Sequence, residues 1–329
     1  MNFSVIIPTY KGLDTLPIAI QSVLTQSFTD YEIIVSDDNE IGSNEQIETE
    51  KLVNDLKRNN PNVIYLKNGH HNGSYARNRG IKYSKGDIVT FLDDDDFYLR
   101  DYLKKSLDIF DSNNNIDVVF FDVLVYTKEK TIKKVSCPDI SSRTLLFGEK
   151  EIGTGSNICL RKIVLDSLKF NEKYLRHQDI EFMTRVLCKH RFYWSTEAMV
   201  VKYYNKIDNY PHLDLALKMQ KLLRDDMVKE NIITEEQSFS LKTKQLHNLL
   251  HDYLFKNVPK NEKKQLILEI KKNNTYSLFD RILCLCSSMC PALFDYAVKK
   301  YINRKNGNCP RNSIDIIELR NRLIEESKR

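Results

Sequence analysis

The sequence predicts an α/β fold, a mostly parallel sheet flanked by helices, followed by an all-helical C-terminal extension. Three observations carry that expectation. Short continuous apolar runs alternate with helix-periodic stretches through the first 100 residues, which is the pattern of a parallel sheet covered on both faces. Polar clusters follow three of those runs, at Thr9-Tyr10-Lys11, Asp37-Asp38-Asn39 and Asp93-Asp94-Asp95-Asp96. Beyond about Pro211 the strand signals stop and only helical periodicity continues.

Taken in order, Phe3 to Ile7 reads as a first strand closed by Pro8, which cannot donate to a sheet ladder. Leu16, Ala19, Ile20, Val23 and Leu24 give residues 13–26 the spacing of an amphipathic helix. Glu32-Ile33-Ile34-Val35 is a second buried strand, 47–56 a helix, Val63 to Leu66 a third strand, 75–83 a short helix and Ile88 to Leu92 a fourth strand. Residues 118–126 form another strand, 128–135 a hairpin, and 156–160 a strand leading into a helix at 161–167. Phe182, Val186 and Leu187 share one face of a helix over 179–189, and 199–204 is the last strand. Helices are expected over 213–230, 238–255, 262–272, 278–286, 293–302 and 313–326. The composition shift near Pro211 divides the chain into an α/β domain, 1–211, and a helical extension, 212–329.

Of the 329 residues, 41% are hydrophobic and 29% charged, which excludes a disordered or collagen-like chain. The net charge of +5 is unevenly spread: residues 1–211 hold 28 basic and 30 acidic side chains, residues 212–329 hold 22 and 15. A basic tail suits an anionic partner or is a solvated helical face. Seven cysteines, an odd number in a long chain, give no disulfide framework and suggest a reducing compartment. Cys284, Cys286 and Cys290 lack the paired spacing of a zinc site and read as core residues. No signal peptide is expected, and no stretch reaches the roughly 20 apolar residues that span a bilayer. Phe279, Ile282, Leu283 and Cys286 share one helical face near Arg281, Lys299, Lys300, Arg304 and Lys305, which fits either peripheral attachment to an anionic membrane or an ordinary helical subdomain.

The chemistry concentrates at strand ends, where ligands of open α/β sheets bind. Asp93 to Asp96 place four carboxylates side by side after a buried strand. Such an oxygen cluster suits Mg²⁺ or Mn²⁺; the other reading is an acidic loop or helix N-cap. Asp38 can accept the N3–H of a pyrimidine, or can close an Asx turn. Arg77 can neutralise phosphate or pair at the surface. Asp179 is either the N-cap of the helix carrying Phe182 or a general base. No G-x-G-x-x-G after the first strand, P-loop, G-x-S-x-G or H-E-x-x-H occurs.

Ser4 to Lys11, Ser22 to Phe28, Tyr31 to Asp38, Asn72 to Gly80, Gly86 to Asp96 and Arg176 to Phe182, in that order, resemble family 2 glycosyltransferases over about residues 3–205. The resemblance implies a GT-A fold with 1–211 as catalytic domain, and inverting transfer of one sugar from a nucleotide-diphosphate sugar, usually a UDP-sugar. It implies a nucleotide-sugar site formed by Pro8, Thr9, Tyr10, Asp38, Arg77, Asp93 and Asp94, a Mn²⁺ or Mg²⁺ ion on Asp95, and Asp179 as base. The implied acceptor is a saccharide or lipid-linked saccharide of cell-surface polysaccharide synthesis. The implied location is cytoplasmic, peripheral on the membrane if the C-terminal helices attach there, with homo-oligomers compatible and no nucleic-acid partner. Asp38-Asn39-Glu40 stands where relatives have Asp-Gly-Ser, Tyr203 to Asp208 lacks their histidine, and the Q-x-x-R-W motif of processive synthases is missing. A nucleotidyltransferase and a non-catalytic nucleotide-sugar-binding protein are the competing readings.

Overall fold

The computed structural model describes residues 2–126, 132–203, 211–255, 259–273 and 313–327. They form two compact units, one of residues 1–205 with 309–329 and one of 206–308.

The first unit alternates β1 (Phe3–Thr9), α1 (Leu16–Leu24), β2 (Tyr31–Asp37), α2 (Asn44–Asn59), β3 (Val63–Lys67), α3 (Gly73–Tyr83) and β4 (Ile88–Phe91). Then follow β5 (Asp96–Tyr98), α4 (Tyr102–Ser112), β6 (Val118–Tyr126), β7 (Ile132–Val135), α5 (Ser142–Leu146), β8 (Cys159–Arg161), α6 (Lys162–Ser167), α7 (Gln178–Lys189) and β9 (Phe192–Tyr203). The sheet order is β3-β2-β1-β4-β8-β6-β9-β5, with β7 on β6. β1 to β4 pair in parallel, β8 runs antiparallel to β4 and β6, and β9 is parallel to β6. Parallel strands need covered faces, and alternation supplies them. Val5, Ile7, Ile33 and Val35 enter one core cluster, while Ile6, Ile34, Val89 and Phe91 enter another.

Pro8 does not end β1. The strand continues to Thr9, with Pro8 in register with Ser36. Leu92 N donates to Ile6 O, so the even positions of β1 turn toward β4. The pairing of β4 with β1 ends at Phe91 opposite Ile6. Pro8, the next even position, has no N–H to give on that side, so the ladder with β4 goes no further while the pairing with β2 continues.

Several elements differ from the sequence expectation. β5, α4 and α5 are additional, β9 starts at Phe192 rather than 199, and residues 155–157 are a 3₁₀ turn before β8. The last helix, α11 (Ser313–Ser327), belongs to the first unit and not with the other helices of the expected 212–329 extension. Leu319, Leu323 and Ile324 form an apolar stripe at helical spacing that packs with Ile18, Phe97 and Val201.

The second unit contains α8 (Leu213–Lys229), α9 (Glu235–Phe255) and α10 (Lys260–Lys272) around Leu213, Ala216, Leu246, Leu250, Tyr253, Leu266 and Ile270. Glu262 accepts the Leu213 N–H at 2.9 Å and pairs with His212 at 2.9 Å, closing the start of α8. No helix among the described residues is long and apolar enough to cross a membrane. The expected helices 278–286 and 293–302, and with them the membrane-attachment face, lie outside the described residues.

Candidate active site

The carboxyl ends of β1, β2 and β4 meet on one edge of the sheet, and hydrogen bonds tie them together. After β1, the Thr9 hydroxyl donates to Asp94 Oδ2 at 2.7 Å, and Thr9 O accepts the Asp38 N–H at 2.9 Å. Lys11 takes a left-handed φ of 54° and donates its N–H to Asn39 Oδ1 at 2.9 Å. Tyr10 is 40% exposed, stacked on His70 with centroids 4.5 Å apart.

After β2 the two aspartates separate. Asp37 is fully buried and accepts from Tyr65 Oη at 2.6 Å and Asn39 N at 2.8 Å. Asp38 accepts the His71 N–H at 3.0 Å, with His70 Nδ1 3.8 Å from its other oxygen. Burial raises both carboxyls above the ordinary range, opposed by these hydrogen bonds.

After β4 the run Asp93 to Asp96 closes a turn, Asp96 N donating to Asp93 O at 3.0 Å. Asp93 receives Arg77 Nη2 at 2.6 Å and its N–H donates to Ser156 Oγ at 2.9 Å. Asp94 points inward. It is 8% exposed and a Cβ on Gly12 would stand only 1.9 Å from its Oδ2, so Gly12 is required for the close approach of the two loops. Asp96 is buried and accepts from Thr154 Oγ1 at 2.5 Å and Ser156 Oγ at 2.7 Å. Burial first, then the charges of Asp93 and Asp95, push the Asp96 carboxyl up to about 8. Below the turn, Tyr98 and Tyr102 stack at 3.8 Å, both bond the Thr90 hydroxyl, and Tyr98 Oη donates to Phe91 O at 2.6 Å.

Carboxylate oxygens of Asp93, Asp95 and Asp96 lie within 4.8 Å of one another. An all-oxygen set of this size fits a hard divalent cation such as Mg²⁺ or Mn²⁺. The resemblance gives Asp96 no role of its own, yet its carboxylate belongs to this group. Asp94 holds the loop after β1.

Arg77 sits on α3, whose N-cap is Asn72. The same helix holds the segment that leads to α7. Asn72 Nδ2 donates to Glu172 O at 2.8 Å, and Asn78 exchanges hydrogen bonds with Phe170 O at 2.9 Å and Phe170 N at 3.1 Å. The start of α7 approaches Arg77. A Cβ on Gly73 would lie 2.9 Å from Arg77 Nη1 and 3.4 Å from Gln178 Nε2. Asp179 follows Gln178 in the first turn of α7 and is half-buried. The N-cap is His177, at a left-handed φ of 62°, not Asp179. Burial lowers the His177 imidazole below its ordinary value, with Asp179 pulling the other way.

Sequence reasoning missed Thr154, Ser156, His70 and His71. Short polar stretches such as Thr154-Gly155-Ser156 carry no period, and their partners are about sixty residues away in the chain.

A family model described as "Glycosyl transferase family 2" matches residues 4–168. A GalNAc(5)-diNAcBac-PP-undecaprenol beta-1,3-glucosyltransferase of Campylobacter jejuni is 28% identical over 69% of this chain and 67% of its own. The UDP-Glc:alpha-D-GlcNAc-diphosphoundecaprenol beta-1,3-glucosyltransferase WfaP of Escherichia coli is 24% identical over 70% of this chain and 86% of its own. Among solved structures, S. aureus TarS 1-349 in complex with UDP-GlcNAc superposes with a TM-score of 0.62 at 17% identity, covering 86% of this chain and 84% of that one. The fold is therefore GT-A.

Proposed function

The chain belongs to glycosyl transferase family 2, and on that premise we propose that it transfers a single sugar, with inversion, from a UDP-sugar to a lipid-linked saccharide. One observation supports the reading: the ends of β1, β2 and β4 are hydrogen-bonded into a single edge that carries Asp38, the Arg77–Asp93 pair and the Asp93–Asp95–Asp96 group. TarS, of the same fold, takes UDP-GlcNAc, which supports a UDP-sugar donor. The C. jejuni and E. coli relatives are named for acceptors carrying undecaprenol diphosphate, which supports a lipid-linked acceptor. The competing nucleotidyltransferase and non-catalytic readings have no comparable support.

In this reading Pro8, Thr9 and Tyr10 line the nucleoside side and Asp38 receives the N3–H of the base. Arg77 turns its planar fork toward the ribose and diphosphate, steadied by Asp93. Asp95, with Asp93 and Asp96 beside it, would hold a divalent cation, which when bound would supply charge neutralisation for the leaving diphosphate. Asp179 accepts the proton of the acceptor hydroxyl as its oxygen bonds to the anomeric carbon. The bond to the diphosphate oxygen breaks on the opposite face, and the electron pair leaves with the diphosphate. No enzyme nucleophile is needed.

Asp179→Asn tests the assignment. A general base contributes roughly 10²- to 10⁴-fold, so transfer should fall by that factor while UDP-sugar affinity, read by calorimetry, stays within about twofold. Parallel loss of binding and turnover would remove Asp179 from the base role.

A further inference from the structure

The C-terminal helix brings a cation to the acidic turn. Leu319, Leu323 and Ile324 seat α11 against Ile18 of α1, Phe97 of β5 and Val201 of β9, and Leu323 is 3% exposed. This docking fixes the rotation of the helix and turns Arg320 toward the catalytic edge. The Arg320 guanidinium lies 4.1 Å from the centroid of the Tyr203 ring, and Tyr203 stacks in turn on Tyr126 at 5.3 Å. Arg320 lines a small cavity together with Thr15, Asp95, Asp96, Phe97 and Tyr203. Among the described residues Arg320 has no ion pair. Stacking engages the face of the guanidinium and leaves its N–H edge for hydrogen bonding.

The acidic run is therefore attended at both ends. Arg77 holds Asp93, the first of the run. Arg320 stands in the cavity that Asp95 and Asp96 line, although it lies more than 220 residues further along the chain. Tyr203, on which Arg320 stacks, is the last residue of β9.

We propose that Arg320 is a second donor-binding arginine, placed beside Asp95 and Asp96 to receive the diphosphate of the nucleotide-sugar. The inference rests on reading the acidic turn as the donor site. It has two electrostatic consequences of opposite sign. A fixed positive charge beside carboxylates weakens their hold on a divalent cation and strengthens the hold of the same site on an anionic nucleotide. Loss of packing would weaken both.

The test uses the full-length chain with Mn²⁺ alone and with UDP in chelator as separate probes, both by calorimetry. Arg320→Ala should bind UDP roughly tenfold more weakly, the range of a charge-assisted hydrogen bond, and Mn²⁺ about threefold more tightly. Arg320→Lys should recover part of the UDP affinity. Arg322→Ala removes the same charge from an exposed position of the same helix and should change neither. If Arg320→Ala does not fold, Arg320→Gln keeps most of the stem and is read the same way. Equal behaviour of the Arg320 and Arg322 variants overturns the proposal, as does joint weakening of UDP and Mn²⁺ with a lowered melting temperature. Wild-type protein that binds neither probe overturns the donor-site reading, and the Arg320 assignment with it. Wild-type binding that Arg320→Ala leaves intact overturns the Arg320 assignment alone.

Discussion

The ends of β2 and β4 look alike in sequence: each is a buried apolar strand that runs into adjacent aspartates. In the folded chain they differ. At β2, Asp37 turns inward and is consumed by Tyr65 and Asn39, which leaves Asp38 at the edge. At β4, only Asp94 turns away, while Asp93, Asp95 and Asp96 converge within 4.8 Å. The supply of local donors decides the difference. Two donors quench the buried carboxylate at β2. At β4, Arg77 holds Asp93, and Thr154 and Ser156 hold Asp96, without dispersing the group. Adjacent like charges are costly unless paired or hydrogen-bonded, so the β4 end keeps negative charge together where a cation can repay it.

That contrast can be broken most sharply at Asp95. Asp95→Asn should lower transfer at least about 100-fold, the scale of losing one preorganised electrostatic group. It should also weaken Mn²⁺ binding, measured by calorimetry. Retention of both by the variant would put the β4 cluster on the same structural footing as Asp37. A middle effect is expected at Gly12. Gly12→Ala drives a Cβ into Asp94, and overpacking of this kind costs about 1–3 kcal/mol, read by urea denaturation. Asp94→Ala in the same chain should return part of that stability by removing the obstructing carboxylate. Absence of any return would locate the strain elsewhere in the β1 loop. The smallest effect on activity belongs to Asp37→Asn, with turnover within about threefold of wild type and stability lower by about 1–3 kcal/mol as a buried hydrogen-bond network loses its matched acceptor. A turnover loss as large as that of Asp95→Asn would erase the distinction between the strand ends.

Much of the catalytic unit is legible because its strands are buried on both faces. Phe3 to Ile7, Ile33 to Val35 and Ile88 to Leu92 read as apolar runs broken only by Ser4 and Thr90. The missed elements lack such a signal. α4 buries Tyr102, Leu103, Ser106 and Phe110, and a serine among the inward positions blurs its period. α5 has five residues, too few to show one. β9 is interrupted where its register with β6 jumps from Phe121–Ser195 to Asp122–Ala198, so Thr196 and Glu197 break the alternation that would reveal it. α11 shows its helical period but not its partner, because nothing in a stripe of leucines says which apolar surface it meets.

The site divides the same way. Order and spacing single out Asp38, Arg77, Asp93 and Asp179. The resemblance gives Asp94 and Asp95 different roles, but the inward turn of Asp94 onto Thr9 depends on side-chain direction, which adjacent identical residues do not reveal in sequence. Nor can order and spacing find Thr154 and Ser156, whose role consists of contacts with a distant segment.

Asn78 and Arg77 are neighbours on α3, and they face different clients. Arg77 grips Asp93, while Asn78 clasps the Phe170 backbone on the approach to α7. The proposed proton acceptor is thereby tethered to the proposed donor site through one stiff rod. A displacement of α3 would carry both along, so in the proposed reaction the spacing between incoming hydroxyl and departing diphosphate would be gauged by a single helix, as jaws are set by a common pin.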